Sequence, residues 1–153
     1  MKRKDFLKLA GAAAAAPLLT GCPKAPAVKA DGTGPAKVTV KIFDLKLRYA
    51  WGLSRGTWTV RTNAFVKIEK GGVVGLGEAA PIARYNETAQ SAAAFIDKAR
   101  PVLDRDLGDY AVRLADIEAV GPGEHAAKAA LDMALLGWHA RALGVPLWRF
   151  LGL

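Results

Sequence analysis

With 153 residues, 52% of them apolar and 24% charged, the chain is long enough for one domain with its own core and too apolar to be disordered throughout. The formal charge of +8 does not point to nucleic acid: residues 1–21 carry net +3 and residues 22–37 net +2, leaving +3 from Val38 onward and no basic stripe interleaved with aromatics. A single cysteine, Cys22, excludes an internal disulfide.

Residues 1–21 have the parts of an export signal. Lys2-Arg3-Lys4 precede an alanine-rich apolar run from Leu9 to Leu19 that is too short to cross a bilayer as a stable helix. The run meets Leu19-Thr20-Gly21-Cys22, which resembles the lipobox of bacterial lipoproteins. That resemblance implies cleavage before Cys22, lipidation of Cys22 and a membrane-anchored protein on the exported side; the plainer reading of Cys22 is a small hydrophobic residue. Arg3-Lys4-Asp5-Phe6-Leu7-Lys8 resembles a twin-arginine signal with lysine in place of the second arginine, which leaves the export route open. Residues 22–37 read as a tether, because Pro23, Pro26 and Pro35 block helix and Gly32 and Gly34 add freedom.

Regular patterning begins near Val38. Val38, Val40 and Ile42 alternate with Thr39 and Lys41; Leu45, Leu47 and Tyr49 then alternate in the other phase, so a bulge is expected near Phe43-Asp44. Ala50 to Thr57, with Gly52 and Gly56, reads as a loop. A second strand puts Trp58, Val60, Thr62, Ala64, Val66 and Ile68 on one face, with Phe65 interrupting the other. Lys70-Gly71-Gly72 reads as a turn into a third strand from Val73 to Ala79. Three helices follow. The first, over 88–100, carries Ala89, Ala92, Ala93, Ile96 and Ala99 and is expected to kink or end at Pro101. Asp109 is placed to cap a second, over 111–120, with Val112, Ala115 and Val120 as its stripe. The third, over 124–143, has the strongest stripe in the chain, Ala127, Leu131, Ala134, Leu135, Trp138 and Ala142, and stops at Gly144 before Pro146. Strands first and helices afterwards predict an α+β domain, a three-stranded antiparallel β-meander followed by a helical bundle.

Between the two halves lies Gly75-Leu76-Gly77-Glu78-Ala79-Ala80-Pro81, then Arg84-Tyr85-Asn86-Glu87-Thr88. Two glycines in a strand let another backbone approach closely, and Thr88 can cap the first helix. This stretch resembles the strand end and loop of the N-terminal capping domain of the enolase superfamily, in its mandelate racemase and muconate-lactonizing group, with the dipeptide epimerases most similar. Ala127 to Leu135, and then Gly144-Val145-Pro146-Leu147-Trp148-Arg149-Phe150-Leu151-Gly152, extend the resemblance; Leu136-Gly137-Trp138 departs from the usual W-D-L. On this resemblance residues 38–146 form the capping domain. Residues 147–153 begin the connection to a catalytic (β/α) barrel absent from this sequence, so these residues alone are expected to be inactive.

The resemblance implies a lid on an isomerase that removes a proton α to a carboxylate, with Mg²⁺ bound by the barrel. Its two lid loops map to 49–58 and 81–87. Arg55 is implied as the holder of a substrate carboxylate, which suits an acidic dipeptide, one derived from peptidoglycan for example. Arg84 and Tyr85 are implied as substrate-binding residues of the second loop. Each has a plainer alternative, a solvated arginine for Arg55 and a pin between loop and barrel for Arg84 and Tyr85. Glu78 reads as a structural ion-pair partner, and His125 and His139 as helix-face residues. Gly75-Leu76-Gly77-Glu78-Ala79-Ala80 also fits a dinucleotide fingerprint, but no βαβ unit surrounds it. Two further readings stand beside the epimerase: a non-catalytic surface lipoprotein that uses the domain for binding, and a muconate-cycloisomerase or racemase of the same superfamily. Homo-oligomerisation is left open.

Overall fold

The computed structural model describes residues 33–54 and 56–153; the export signal, Cys22, most of the tether and Arg55 lie outside the described residues. Three antiparallel strands, β1 (Lys37–Leu53), β2 (Gly56–Lys70) and β3 (Val73–Ala79), form one sheet in the order β1-β2-β3. Four helices follow: α1 (Ala89–Leu103), α2 (Tyr110–Ala119), α3 (His125–Ala142) and the single turn α4 (Leu147–Phe150). The expected meander and helices are all present.

The core lies between one sheet face and the helices. Ala64, Val66 and Ile68 of β2 are fully buried against Ile96 and Leu103 of α1 and Leu131 and Leu135 of α3. The glycines of β3 make this possible. A Cβ on Gly75 would sit 2.0 Å from the carbonyl oxygen of Ala134, and one on Gly77 would sit 1.8 Å from that of Ala130. Two strand residues rise about 6.7 Å and four helical residues about 6.0 Å, so the contact repeats in step along both elements. Small residues at the helix's contact positions, Ala130 and Ala134, complete the close approach.

Lys70, expected in a turn, ends β2 with its side chain buried. Its ammonium donates to the carbonyls of Leu103 and Asp104, each at 2.9 Å, and to that of Arg105. These are carbonyls that the end of α1 leaves without helical partners, and a cation there also meets the negative end of the helix dipole. The indole N–H of Trp138 donates to the Lys70 carbonyl at 3.0 Å, tying α3 to the same point.

Several expectations need correction. Pro101 does not end α1, which runs on to Leu103. In the last turn a proline forfeits only its own N–H bond, and Lys70 holds the carbonyls beyond it. The buried residue of α2 is Ile117, whereas Val112 and Ala115 are exposed. The β1–β2 register is regular through Phe43 and Asp44; the irregularity lies between Lys46 and Trp51, where residues 47–50 stand against Thr59 alone. Residues 50–57 are not an open loop either. Trp51 pairs with Trp58, Gly52 with Thr57 and Leu53 with Gly56, so the strands continue almost to the tip.

Candidate functional site

Register decides which end of the sheet can act. β3 stops at Ala79, opposite Ala64, while β1 and β2 continue beyond that pair as a hairpin of about 25 Å. The loop leaving β3 therefore starts where the free hairpin starts. The sequence places the two lid loops at 49–58 and 81–87, and the fold brings both to the same end.

The hairpin is exposed and aromatic. Tyr49 is 75% and Trp51 60% accessible, and Leu53 and Val60 are exposed beside them. The guanidinium of Arg48 lies 5.5 Å from the Tyr49 ring centroid, and that of Arg61 5.4 Å from that of Trp58. Leu47, Arg48, Tyr49, Trp51 and Arg61 line a shallow depression of about 510 Å³ where the register breaks. The three extra residues of β1 turn these side chains out of the sheet's alternation.

In the second loop Ala83–Tyr85 form one 3-10 turn, and Asn86 takes a left-handed conformation with φ 57°. Arg84 and Tyr85 are exposed, with the Arg84 guanidinium 5.8 Å from the Tyr85 ring centroid and that ring edge-on to His125 at 5.8 Å. The residues that fix this loop follow them. Glu87 is buried, and its carboxylate accepts from the His125 N–H at 2.7 Å and the Ala126 N–H at 3.2 Å. It caps α3 from a distance in sequence, where Glu124 at the N-cap, with φ 51°, makes no side-chain capping bond of its own and instead accepts from the Ser91 hydroxyl at 3.1 Å. Thr88 caps α1 reciprocally with Ser91. Two helix N-termini thus hold the C-terminal half of the loop, while Arg84 and Tyr85 face solvent. Glu87 escaped the sequence reading because its partners lie 38 and 39 residues away. The Arg-Tyr-x-Glu-Thr pattern contained it, with no local sign of which helix it would serve.

Glu78 accepts from the Asn63 side-chain amide at 2.6 Å and makes no ion pair among the described residues, so its structural role is that of a neutral-donor hydrogen bond. His125 is the first residue of α3 and is exposed. His139 is not a simple helix-face residue: its ring contacts those of Tyr110, Trp138 and Phe150, and its Nε2 has no hydrogen-bond partner. Burial lowers its pKa below the ordinary value of 6.5, against the opposing effects of a backbone bond at Leu107 and of Asp106 and Asp109. Nearby, burial and then its bond to Asp132 push the Tyr110 hydroxyl up to about 12. Both shifts favour neutral forms, which suits a structural junction of α2, α3 and α4 and not an acid/base pair. The unfolded chain therefore takes up a proton at His139 before the folded one does. Stability should be at its full value above about pH 6.5 and fall as pH drops towards the lowered folded pKa. His139→Leu should flatten that slope in denaturant titrations between pH 7 and 5; an unchanged slope would show that His139 titrates normally.

Among the described residues no group of three or more His, Cys, Asp or Glu could hold a metal ion. The residues present do not fit Mg²⁺. The buried lysines are also committed, Lys70 to helix-end carbonyls and Lys128 to Glu118 at 2.7 Å. What this end of the sheet offers is an aromatic and guanidinium surface on a projecting hairpin, beside a loop pinned at its base.

A meander backed by helices, with its longest hairpin and the loop after its third strand at one end, defines the class as an α+β domain. Residues 37–152 match the mandelate racemase / muconate lactonizing enzyme N-terminal domain family, and the chain belongs to it. It is 32% identical over 160 residues to the L-Ala-D/L-Glu epimerase of Bacteroides thetaiotaomicron, covering 99% of this chain and 42% of that protein. It is 34% identical over 114 residues to the L-Ala-D/L-amino acid epimerase of Pedosphaera parvula, covering 72% and 33%. Among solved structures, the dipeptide epimerase of Cytophaga hutchinsonii complexed with Mg and D-Ala-L-Val superposes with a TM-score of 0.71 at 26% identity, over 77% of this chain and 33% of that one. The chain thus spans between 33% and 42% of the length of these relatives.

Proposed function

We infer that this chain is the capping and specificity-setting part of an exported dipeptide epimerase, an enzyme that inverts a centre α to a carboxylate by proton removal. The observation that carries the reading is the shared end of the sheet, where the aromatic hairpin and the Arg84–Tyr85 loop project together from a rigid base. Family membership and the similarity to epimerases of L-Ala-D/L-Glu support the choice of substrate class. On this reading the hairpin closes over the distal part of a bound dipeptide. Tyr49, Trp51 and Trp58 exclude water, and Arg55, with Arg84 and Tyr85, meets a substrate carboxylate. The base and the Mg²⁺ ligands belong to a barrel domain outside the described residues, and Cys22 carries a lipid that holds the enzyme at a membrane near peptidoglycan peptides.

Solvent-deuterium exchange tests the catalytic part. A full-length protein containing this chain and a barrel should exchange the glutamyl α-proton of L-Ala-L-Glu and form L-Ala-D-Glu, while the 153-residue chain should exchange none. Exchange by the 153 residues alone would place the chemistry in the wrong domain. A full-length protein silent on acidic and neutral dipeptides alike would favour the binding-module reading. For the anchor, the exported protein should begin at a lipid-modified Cys22 by mass spectrometry, and an unmodified Cys22 or an intact Met1 contradicts it.

A further inference from the structure

The sheet has one open face, and on it Lys37, Lys41 and Lys67 stand with two carboxylates, Glu69 and Glu78, the latter already engaged by the Asn63 amide at 2.6 Å. By strand alternation and register, Lys37, Lys41 and Phe43 of β1, Phe65 and Lys67 of β2 and Leu76 of β3 share the sheet face turned away from the helices. Three lysines there surround an apolar centre. Phe43 and Leu76 are 48% and 55% accessible, and the rings of Phe43 and Phe65 meet edge to face at 5.7 Å. These side chains line an open basin of about 370 Å³. Glu69 lies 3.1 Å from Lys67 and 3.8 Å from Lys37, while Lys41 has no ion-pair partner among the described residues.

An exposed apolar centre rimmed by ammonium groups on flexible stems fits a surface that is apolar beneath and anionic above. The path of the chain says which surface. The Ala36 N–H donates to Asp104 at 2.9 Å, and Lys37, the first residue of β1, lies on this face, so the N-terminal segment joins the domain at the border of the basin. From Cys22 to Lys37 the backbone spans at most about 50 Å. The hairpin tip is at the far end of the sheet, about 45 Å away along β2. A face used near the tether would leave the capping end free.

We propose that this open sheet face is a docking surface for an anionic lipid bilayer, with the N-terminal tether keeping it close; the source of that proximity is the lipid anchor inferred above. No described helix is long and apolar enough to cross a membrane, so this contact is peripheral. Each lysine near an anionic surface strengthens docking only about fivefold. The tether supplies the high local concentration that makes so weak a contact effective.

The sole cysteine allows a test that does not depend on natural lipidation. The chain from Cys22 onward, without residues 1–21, is coupled through Cys22 to a maleimide-headgroup lipid, in vesicles of phosphatidylcholine alone or mixed with phosphatidylglycerol. Energy transfer from its tryptophans to a dansyl-headgroup lipid is then read. Transfer should be higher on the mixed vesicles and fall with added salt. Lys41→Glu/Lys67→Glu should lower the docking equilibrium at least about 25-fold, and Lys41→Gln/Lys67→Gln by a smaller factor should the charge reversal perturb the fold. Equal transfer on both vesicle types, or transfer unmoved by either pair of substitutions, overturns the proposal even if the exported protein proves lipidated. Docking abolished by soluble polyphosphate with no vesicle preference also overturns it, because the face would then read a polyanion and not a bilayer. An unmodified Cys22 in the exported protein would remove the anchor while leaving the vesicle result to stand by itself.

Discussion

Replacing Gly77 by alanine is expected to lower the thermal midpoint of the 153-residue chain by on the order of 15 °C. The added Cβ would lie 1.8 Å from the Ala130 carbonyl oxygen and 2.7 Å from its carbon. The obstacle is helix backbone, so no rotamer change relieves it, and α3 must move off β3. Overpacking of this kind costs about 3 kcal/mol or more, against a total stability of about 5–15 kcal/mol for a domain of this size. Gly75→Ala should behave alike, since its Cβ would meet the Ala134 carbonyl at 2.0 Å. Gly121→Ala is the control: the nearest atom to its Cβ is 3.9 Å away on Phe95, and its midpoint should hardly change. Equal midpoints for Gly77→Ala and Gly121→Ala would mean that the helix is not seated on the glycines.

The second large effect is on specificity. Arg55→Ala in the full-length enzyme should reduce kcat/KM for an acidic dipeptide by roughly ten- to a hundred-fold and leave a neutral dipeptide little changed. A charge-assisted pair to a carboxylate in a closed site contributes about 1.5–3 kcal/mol, and each 1.4 kcal/mol is tenfold. The pairing of Leu53 with Gly56 carries the described strands up to this part of the hairpin. Equal losses on both dipeptides would reduce Arg55 to a support of the hairpin.

These two positions differ in how far the sequence disclosed them. Glycines at 75 and 77 announce a close approach because their spacing puts both on one strand face, yet nothing local names the partner. Ala134 looks like an ordinary member of a helical stripe, and Ala130 falls outside that stripe, until the helix is laid antiparallel to β3. The alternation of Ala64, Val66 and Ile68 likewise made the core face legible. The hairpin was less so. Gly52, Ser54 and Gly56 depress strand propensity and suggest a loop, whereas cross-strand pairing of Trp51 with Trp58 outweighs that local preference. The phase slip along β1 was visible, but its position was not, since an extended run of exposed residues gives no burial to fix the count. Lys70 and Glu87 were hidden for one shared reason: each satisfies the end of a helix far away in sequence, and a charged residue beside a turn ordinarily reads as solvated.

The inferred role of the hairpin is to cap a dipeptide site, and shortening it tests that role most directly. In the full-length enzyme, residues 47–59 would be replaced by Asn-Gly, a two-residue turn that preserves the pairing of Lys46 with Val60. The buried residues of β2 begin at Asn63, outside the deletion, so the thermal midpoint should move little. With its lid gone, the enzyme should lose on the order of a hundred-fold or more in kcat/KM for L-Ala-L-Glu. A folded, shortened enzyme with unchanged kcat/KM would contradict the capping role.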